Sequence, residues 1–428
     1  MFCQLEVLRH CFPSSVRLIL EELPESLDET YERILREIRK PNQKHAHRLM
    51  QCLVAAVRPL RIEELAEVLA FDFNAEGIPK LNLGWRWEDQ EEAVMSACSS
   101  LVMIIKDGDS RVVQFSHFSV KEYLTTNRLV EPIKDVSRYH IRLEAAHTIL
   151  AQACLGVLLR LDDQVDRNKI KNFPLAQYAA QYWATHARVE NASSRIKDGM
   201  ECLFDADEPH FATWLWIYNE DRYEDSMPTM CPGKPKAVPL YYAARLGFRD
   251  LAEHLIAEHP EHVNARGGEL ETPMHVAAYA GHAEILSSLL DHGADVDGRE
   301  AIAHLTPLHR ASMRGKVEAG QCLLDRGADI HARSDTDRTP LLLANRHKHV
   351  EFVRMLLKRG ARTNDRDAID YTSLHWAVKE EIIQTVRLLL EHGADVNKYN
   401  LYGRTPSQMT ENREILELLS EYGAKSVT

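Results

Sequence analysis

Histidine is the side chain whose spacing in this sequence first suggests chemistry. Three histidines lie 34 and then 66 residues apart: His275, His309 and His375. Imidazole nitrogens are frequent ligands of zinc and other divalent metals, so a regular set of this kind could indicate metal binding. The regular interval, however, places each histidine on a separate structural unit. We therefore predict no metal site and no other cofactor.

A second candidate is the stretch QFSHFSVKEYL, which contains Ser116, His117 and Ser119. An imidazole can activate a neighbouring hydroxyl as a nucleophile, but a catalytic set also needs a placed base and a group that orients it. The pattern alone shows neither, so we predict that the chain is not an enzyme. A hydrogen-bonded network buried between a hairpin and the next helix would explain the same residues.

Cysteine usage and charge favour an intracellular protein that does not bind nucleic acid. The eight cysteines are scattered and form no C-x-x-C pair, which favours reduced thiols. Lys and Arg number 52 against 64 Asp and Glu, and a net charge of −12 gives no general attraction to phosphate backbones. Glu6 and Arg9 interrupt any signal peptide, and no run reaches the ~18 apolar residues of a membrane span. We expect a soluble, cytoplasmic chain without a membrane partner.

An internal repeat occupies the C-terminal part of the chain. Thr-Pro, or Thr-Ser once, recurs at intervals of 33 or 34 residues: Thr272, Thr306, Thr339, Thr372 and Thr405. Threonine caps a helix N-terminus through its hydroxyl, and proline at the first helical position loses no hydrogen bond. Gly247, Gly281 and Gly315 are placed to end the first helix of their units in a left-handed conformation. A helix pair of this size cannot bury its own apolar face, so the units must stack.

The units TPMHVAAYAGHAEILSSLLDHGADVD and TPLHRASMRGKVEAGQCLLDRGADI resemble ankyrin repeats. The resemblance covers residues 238–428 as about six units, counting one that begins at Val238-Pro239. The last unit, from Thr405, is short and polar and is expected to cap the array. The resemblance also implies that the periodic histidines are structural hydrogen-bonding groups.

Some units depart from the ankyrin pattern at positions where glycine is usual. Lys348 and Glu381 replace the glycine that ends the first helix. Other residues replace the glycine at the tip of the connecting hairpin: His304, Asp337 and Asp370. A non-glycine residue in the left-handed conformation costs about 1 kcal/mol. We therefore expect the fourth and fifth units to be the least stable.

The ankyrin resemblance also implies a concave groove, lined by variable positions of the first helices. In this sequence those positions are Tyr242, Arg245, Leu246, Val276, Tyr279, Arg310, Met313, Arg314, Leu343, Arg346, His347, Trp376 and Lys379. Aromatic and arginine side chains are frequent anchors of protein interfaces. Because five of the side chains are Arg or Lys, we predict an acidic protein surface or peptide as partner, anchored on Tyr279 and Trp376. The alternative is that these side chains are simply solvated positions.

Residues 42–132 follow the element order of a winged-helix domain. The pattern predicts three helices and then a two-stranded hairpin, at 45–57, 62–71, 88–100, 101–106 and 111–116. A further helix is predicted upstream, opened by the capping box SLDE at 26–29. DNA binding is a frequent function of this fold. It is disfavoured because the third helix would present to phosphates the carboxylates of Glu88, Asp89, Glu91 and Glu92.

The string QFSHFSVKEYL, with LPESLDETYERIL and RPLRIEELAEVLA upstream, resembles the region that follows the nucleotide-binding module of fungal NACHT-ankyrin proteins. These are signalling ATPases similar to NOD-like receptors. In them a winged-helix histidine contacts the β-phosphate of bound ADP, and the resemblance assigns this role to His117. Its framework would be Phe115, Ser119, Glu122 and Tyr123.

The phosphate-binding loop of such an ATPase is absent from this sequence. No G-x-x-x-x-G-K-[ST] occurs: the pair Gly233-Lys234 is followed by proline, and the pair Gly315-Lys316 is followed by valine. The segment FCQLEVLRHC resembles the tail of a NACHT module. We therefore expect a truncated product or a fragment of a longer NACHT-ankyrin protein, without its ATPase.

The sequence as a whole predicts a mainly α protein with a helical, winged-helix N-terminal half and an ankyrin-repeat solenoid. The expected domains are a NACHT-like helical tail, a winged helix, a helical spacer, a proline-rich linker and the repeats, at 1–41, 42–132, 133–220, 221–237 and 238–428. The predicted function is non-enzymatic protein–protein interaction. Two alternatives stay open: the regulatory and sensor portion of a nucleotide-switched NACHT ATPase of innate-immunity or incompatibility type, and a winged-helix DNA-binding regulator.

Overall fold

The computed structural model of the chain divides into two compact units, Met1–Lys234 and Pro235–Thr428. It describes residues 26–73, 77–98, 100–108, 110–129, 136–162, 164–189, 192–220, 237–267 and 271–424. The segment FCQLEVLRHC and residues 221–236 of the predicted linker lie outside the described residues. The protein is mainly helical, as the sequence predicts.

The first unit begins with a winged-helix arrangement. Its elements in chain order are α1 (Leu27–Glu37), α2 (Gln43–Ala55), β1 (Leu60–Arg61), α3 (Ile62–Leu69), β2 (Phe71–Asp72), β3 (Lys80–Leu81), α4 (Gln90–Cys98), β4 (Val102–Asp107), β5 (Ser110–Phe115) and α5 (Phe118–Thr125). β5 is the middle strand of an antiparallel sheet in the order β1-β5-β4, and β2 pairs with β3 separately. The predicted helices and hairpin are confirmed. Strands β1, β2 and β3 have two residues each, too few to show alternation in the sequence.

Side-chain caps explain where the first and fourth helices begin. The Ser26 hydroxyl accepts a hydrogen bond from the amide of Glu29 at 3.2 Å, which confirms the predicted cap of α1. Before α4, a carboxylate oxygen of Asp89 accepts hydrogen bonds from the amides of Glu91 and Glu92 at 2.9 and 3.0 Å. The acidic residues therefore lie at the helix N-terminus, where the helix dipole favours negative charge.

A helical segment completes the first unit. It contains α6 (Leu143–Leu158), α7 (Arg167–Ile170), α8 (Ala176–Ala187), α9 (Ala192–Phe204) and α10 (His210–Glu220). Trp183, Phe204 and Trp214 are buried together, with ring centroids 5.5 to 5.9 Å apart. These aromatic side chains form a packing core at the geometry that aromatic pairs prefer.

The described helices are short compared with a membrane span. The longest described helix, α6, has 16 residues, whereas a membrane span needs about 20 apolar ones. Across the part of the chain that the structure describes, no helix combines the length and the apolar character needed to cross a membrane.

Two buried glutamates of α3 have different partners: Glu64 binds arginines within the winged helix, and Glu67 connects the winged helix to the helical segment. The carboxylate of Glu64 accepts hydrogen bonds from the Arg58 guanidinium at 2.7 and 2.8 Å and from the Arg61 amide at 2.8 Å. The carboxylate of Glu67 accepts a hydrogen bond from the amide of Leu175 at 2.7 Å, and burial raises its pKa. Hydrogen bonds to charged groups of this kind hold the two parts of the unit together.

The second unit is a stack of helix pairs. The first helices are α11 (Pro239–Leu246), α13 (Pro273–Ala280), α15 (Pro307–Arg314), α17 (Pro340–Arg346) and α19 (Ser373–Lys379). The second helices are α12 (Arg249–Glu258), α14 (Ala283–Asp291), α16 (Val317–Asp325), α18 (Val350–Lys358) and α20 (Ile383–Glu391). First helices pack on first helices and second helices on second helices, so the unit has two layers. The short last repeat of the stack has a 3₁₀ turn at Pro406–Met409 and then α21 (Arg413–Glu421).

Left-handed residues end the first helices, as the sequence predicts. Gly247, Gly281 and Gly315 have φ values of 81°, 94° and 62°. The non-glycine residues at the predicted positions are left-handed as well, with φ between 52° and 64°: His304, Asp337, Lys348, Asp370 and Glu381. The units that contain them therefore carry backbone strain that glycine would not have.

We expect Glu381→Gly to raise the free energy of unfolding of the whole ankyrin-repeat stack by about 1 kcal/mol, because glycine tolerates φ of 56° without strain. Urea unfolding of the full chain, followed by a probe in the repeats, measures the change. The matched control is Arg387→Gly on the exposed side of α20, which should lower stability by about 1 kcal/mol. Equal destabilisation by both substitutions would show that Glu381 is not strained.

Candidate partner-binding face

The first helices of the repeat units carry the residues predicted to bind a partner. We call this surface the first-helix face, and its predicted members are Tyr242, Arg245, Tyr279, Arg310, Met313, Arg314, Arg346, His347, Trp376 and Lys379. The exposed members are Arg245, Tyr279, Arg314, Arg346, His347 and Lys379. Tyr242, Arg310 and Met313 are half-buried, and Trp376 is buried. The structure therefore leaves most of the predicted side chains available to a partner.

Trp376 differs from the prediction that it is an exposed anchor. Its side chain is only 6% exposed, and its indole N–H donates a hydrogen bond to Asp367 at 3.0 Å. Tyr371 packs against it, with ring centroids 5.1 Å apart. Trp376 therefore forms part of the floor of the face, and a partner would meet the cations above it.

Arg310 also differs from the expected free cation. Its guanidinium forms an ion pair with Glu271, a buried carboxylate at the start of the second repeat unit. Because the Glu271 carboxylate compensates most of its charge, Arg310 offers little positive charge to a partner. Val276 and Leu343, which the sequence also places on the groove, are buried at 5% and 3% exposure and serve as core.

Cations on the first-helix face lie over aromatic rings. The guanidinium carbon of Arg314 is 4.9 Å from the centroid of the Tyr279 ring, and that of Arg346 is 5.3 Å from the Trp376 ring. The Lys379 ammonium lies 4.9 Å from the same indole. Stacking of this kind orients a long side chain while leaving its hydrogen-bond donors free for an anion.

Several arginines of the first-helix face lie around His347. Its pKa is lowered by partial burial and then by the charges of Arg346, His349, Arg338 and Arg314. Three arginines therefore face one imidazole, from α15, from α17 and from the residue before the Thr339 cap. Arg338, which the sequence reasoning missed, is partly buried, and its Nε lies 4.0 Å from a carboxylate oxygen of Asp367, too far for a hydrogen bond.

Second helices use arginine differently. Arg326 pairs with Asp291, and Arg359 pairs with Asp325, each at 2.7 Å across successive units. By contrast, within the described residues no carboxylate lies within 4.0 Å of the charged groups of Arg314, Arg346 or Lys379. Positive charge without a carboxylate partner among the described residues is therefore present on the first-helix face, as it is at the exposed Arg387 of α20.

The periodic histidines have the structural role that the sequence predicts. In each of three units the Thr amide donates a hydrogen bond to the histidine Nδ1 at 3.1 to 3.4 Å. The histidine Nε2 donates in turn to the carbonyl of the residue before the next Thr, at 2.9 to 3.2 Å. Each imidazole thus links two units and is fully buried, so none is placed to bind a metal.

We expect the free energy of unfolding of the whole ankyrin-repeat stack to fall on acidification. Burial lowers the pKa of His275 and His309 to about 4, against 6.5 for a free histidine. Between these values the unfolded chain binds protons that the folded chain excludes, so stability falls as pH drops from 6.5 towards 4. Each histidine should cost about 2 kcal/mol at pH 5, which urea unfolding at pH 7 and pH 5 measures.

The last unit suggests a matched variant for this test. There Gln408 takes the histidine position, and its amide oxygen accepts the hydrogen bond from the Thr405 amide at 2.9 Å. His309→Gln should therefore keep the cap but remove one titrating group. If the pH dependence of stability were unchanged in His309→Gln, His309 would not be a buried group with a lowered pKa.

His117, predicted to sense a nucleotide, caps α5. Its Nδ1 is 2.6 Å from the Ser119 hydroxyl and 3.3 Å from the Ser119 amide. The Ser119 hydroxyl is also 2.7 Å from the Tyr31 hydroxyl of α1. A hydrogen-bonded network is therefore present, but the imidazole is exposed at its edge, and the neighbouring Phe118 is 77% exposed. Among the described residues no acidic group orients His117 as a catalytic base, so the geometry described does not form a catalytic set.

One group of side chains could hold a metal ion within the described part of the chain. Donor atoms of His259, Glu261 and His262 all lie within 4.8 Å of one another on a 3₁₀ turn. His259 and Glu261 already form an ion pair at 3.4 Å, and Glu261 is well exposed. The cluster lies apart from the periodic histidines.

Comparison with known proteins places both parts of the chain. Residues 240–334 and 308–400 each match the family model described as ankyrin repeats (3 copies). Residues 31–132 match the winged helix domain of GPI inositol-deacylase. Azaphilone pigments biosynthesis cluster protein L of Monascus ruber is 35% identical over 297 residues, 65% of this chain and 62% of that protein. This chain thus spans less than two thirds of that relative.

A shorter similarity falls outside the fungi. Ankyrin repeat domain-containing protein 49 of Homo sapiens is 32% identical over 91 residues, 19% of this chain and 38% of that protein. The matches show ankyrin repeats and a winged helix but do not confirm the NACHT-ankyrin assignment. The chain therefore combines a winged-helix domain of the GPI-inositol-deacylase type with an array of ankyrin repeats.

Proposed function

We propose that this chain is a non-enzymatic interaction protein that binds an acidic protein segment on its first-helix face. The observation that carries the proposal is the contrast between the two layers of the repeats. Arg326 and Arg359, which directly follow α16 and α18, pair with aspartates of neighbouring units. Arg314, Arg346 and Lys379 lie over aromatic rings and have no carboxylate partner among the described residues. Ankyrin repeats serve protein–protein interaction, and complementary charge gives such an interface its specificity.

Partner capture with paired variants tests this proposal. The full chain, the inner variant Arg314→Ala/Arg346→Ala and the outer variant Arg326→Ala/Arg359→Ala are used as bait under the same conditions. We expect proteins with acidic segments to be retained by the wild type and the outer variant and lost by the inner variant. Retention of the same proteins by both variants would contradict binding on the first-helix face.

Binding should also become tighter as pH falls. The free His347 has a lowered pKa because of partial burial and the charges of Arg346, His349, Arg338 and Arg314. An anionic partner raises this pKa, so the complex takes up a proton and affinity rises as pH drops below about 7. We expect affinity to rise between pH 7.5 and pH 5.5, because each unit by which binding raises the pKa allows at most a tenfold gain.

The control for this measurement is a histidine away from the face. His292, whose Nδ1 contacts the Ser288 carbonyl at the end of α14, is the matched residue. Titration calorimetry should show the pH dependence in His292→Asn and not in His347→Asn. A pH dependence that survives in His347→Asn belongs to another group.

A second candidate function is regulation of a nucleotide-binding module. It is favoured by the winged-helix match over residues 31–132 and by the exposed imidazole of His117 at the start of α5. In a complex with a NACHT module that holds ADP, we expect His117→Ala to speed ADP release about tenfold, the loss of roughly one charge-assisted hydrogen bond. Tyr31→Phe, which keeps the imidazole, is the control. Equal release rates in wild type and His117→Ala would remove this candidate.

A further inference from the structure

A cavity at the C-terminal end of the first-helix face combines two cations with aromatic walls. It has a volume of about 480 Å³ and is lined by Tyr371, Lys379, Tyr402, Arg404 and Met409. Only Lys379 belongs to the set predicted from the sequence. We call this cavity the end pocket.

Aromatic rings lie beside one cation of the end pocket, and backbone hydrogen bonds fix the main chain that carries the other. The Lys379 ammonium lies 5.7 Å from the Tyr371 ring and 4.9 Å from the Trp376 ring. The main chain of Arg404 is fixed, because its amide donates to Asn400 at 3.0 Å and its carbonyl accepts from His375 Nε2 at 3.2 Å. Among the described residues, neither side chain has a carboxylate within 4.0 Å.

The carboxylate of Asp367, which bonds Trp376 and Tyr371, is occupied by several groups, including Arg338 at 4.0 Å. One carboxylate oxygen of Asp367 accepts from the Trp376 indole, and the other accepts from the amides of Ile369 and Tyr371 at 3.1 and 2.9 Å. Asp367 is also 5% exposed. Its charge therefore supports the floor of the pocket and does not compensate Lys379 and Arg404.

Apolar surface surrounds the cations of the end pocket. Tyr402 is 67% exposed and the adjacent Leu401 is 62% exposed, which are unusually high values for large apolar side chains. A small inorganic anion would leave this rim uncovered. A ligand with an anionic end and an apolar body would cover the rim and meet both cations.

We propose that the end pocket binds an anionic group carried on an apolar side-chain body of the partner segment. The inference rests on the proposed function, because it names what one end of the bound segment contains. The anion comes from one of two sources, a phosphotyrosine or a glutamate next to an aromatic residue. Lys379 and Arg404 supply the charge, and Tyr402 with Met409 contacts the apolar body.

Fluorescence anisotropy with two labelled peptides tests this proposal on the full chain. One peptide carries a phenylalanine between glutamates, and the other carries phosphotyrosine in place of that phenylalanine. The variants are Lys379→Met/Arg404→Gln at the end pocket and Arg314→Ala/Arg346→Ala at the centre of the face. Melting temperatures check that both variants are folded.

We expect the end-pocket variant to bind at least one peptide about tenfold more weakly than wild type. Tighter wild-type binding of the phosphotyrosine peptide identifies phosphate as the anion, and equal or tighter binding of the glutamate peptide identifies carboxylate. If only the central variant weakens binding, the end pocket is wrong and the proposed function stands. If neither variant weakens binding, or wild type binds neither peptide, both are overturned.

Discussion

Replacing both Arg314 and Arg346 with glutamate is expected to weaken binding of the acidic partner at least 100-fold. Two uncompensated positive charges become negative at the point where the structure concentrates charge around His347. Like charges across an interface cost several kcal/mol, and 100-fold corresponds to about 2.7 kcal/mol. Titration calorimetry at moderate and high salt measures the loss, which should shrink as salt rises.

The matched control for charge reversal is Arg326→Glu/Arg359→Glu. It makes the same change of net charge on the second helices, where each arginine pairs with an aspartate. We expect it to change affinity by less than about threefold, since the distance to the face screens the charge. An equal loss of affinity in both double variants would show that only net charge matters and that the first-helix face is not the site.

Replacing Glu64 with alanine is expected to destabilise the first unit by about 3–5 kcal/mol. Glu64 is fully buried and compensates the guanidinium groups of Arg58 and Arg61, at 2.7 and 3.0 Å. Removing one partner of a buried ion pair leaves the other charges unpaired, which costs far more than losing a surface pair. Thermal and urea unfolding of the full chain, followed by tryptophan fluorescence of the first unit, measures the change.

The neighbouring Glu63 provides the control for Glu64. It lies on the same helix but is partly exposed, and a surface substitution away from such networks stays within about 0.5 kcal/mol. A loss below about 1 kcal/mol in Glu64→Ala would show that the arginines find water or other partners, and that the buried carboxylate does not hold the unit together.

Much of the fold could be predicted from local residue chemistry. Thr-Pro caps and glycines with positive φ mark the ends of most first helices, so a period of 33 or 34 residues was enough to place the units. Even the strained positions were visible, because Lys348 and Glu381 fall where the period requires a left-handed residue. The domain boundaries themselves remain predictions.

The unit at Thr306 shows what the period could not reveal. The interval from Thr272 to Thr306 is 34 residues, one more than each later interval. The structure accommodates the extra residue through the side chain of Glu300. The Glu300 carboxylate accepts hydrogen bonds from the amides of Ile302, Ala303 and Leu305 at 2.7 to 3.3 Å. Such a compensation depends on the loop path and not on residue type.

The candidate site was only partly predictable, because exposure depends on partners distant in sequence. Trp376 and Arg310 occupy the right helices, but Trp376 is buried and bonded to Asp367, and Arg310 is half-buried and paired with Glu271. Arg338 and Arg404 were missed although their register gave a signal. Both come immediately before a capping Thr, where the carbonyl is fixed by a histidine and the side chain is presented on the face.

The most direct test of the account is hydrogen–deuterium exchange of the full chain with and without a captured partner. Binding on the first-helix face predicts slower exchange in residues 307–314, 340–346 and 373–379 and unchanged exchange in the second helices α16, α18 and α20. Protection confined to the second helices or to the winged helix, with no change in the first helices, would contradict the proposed function.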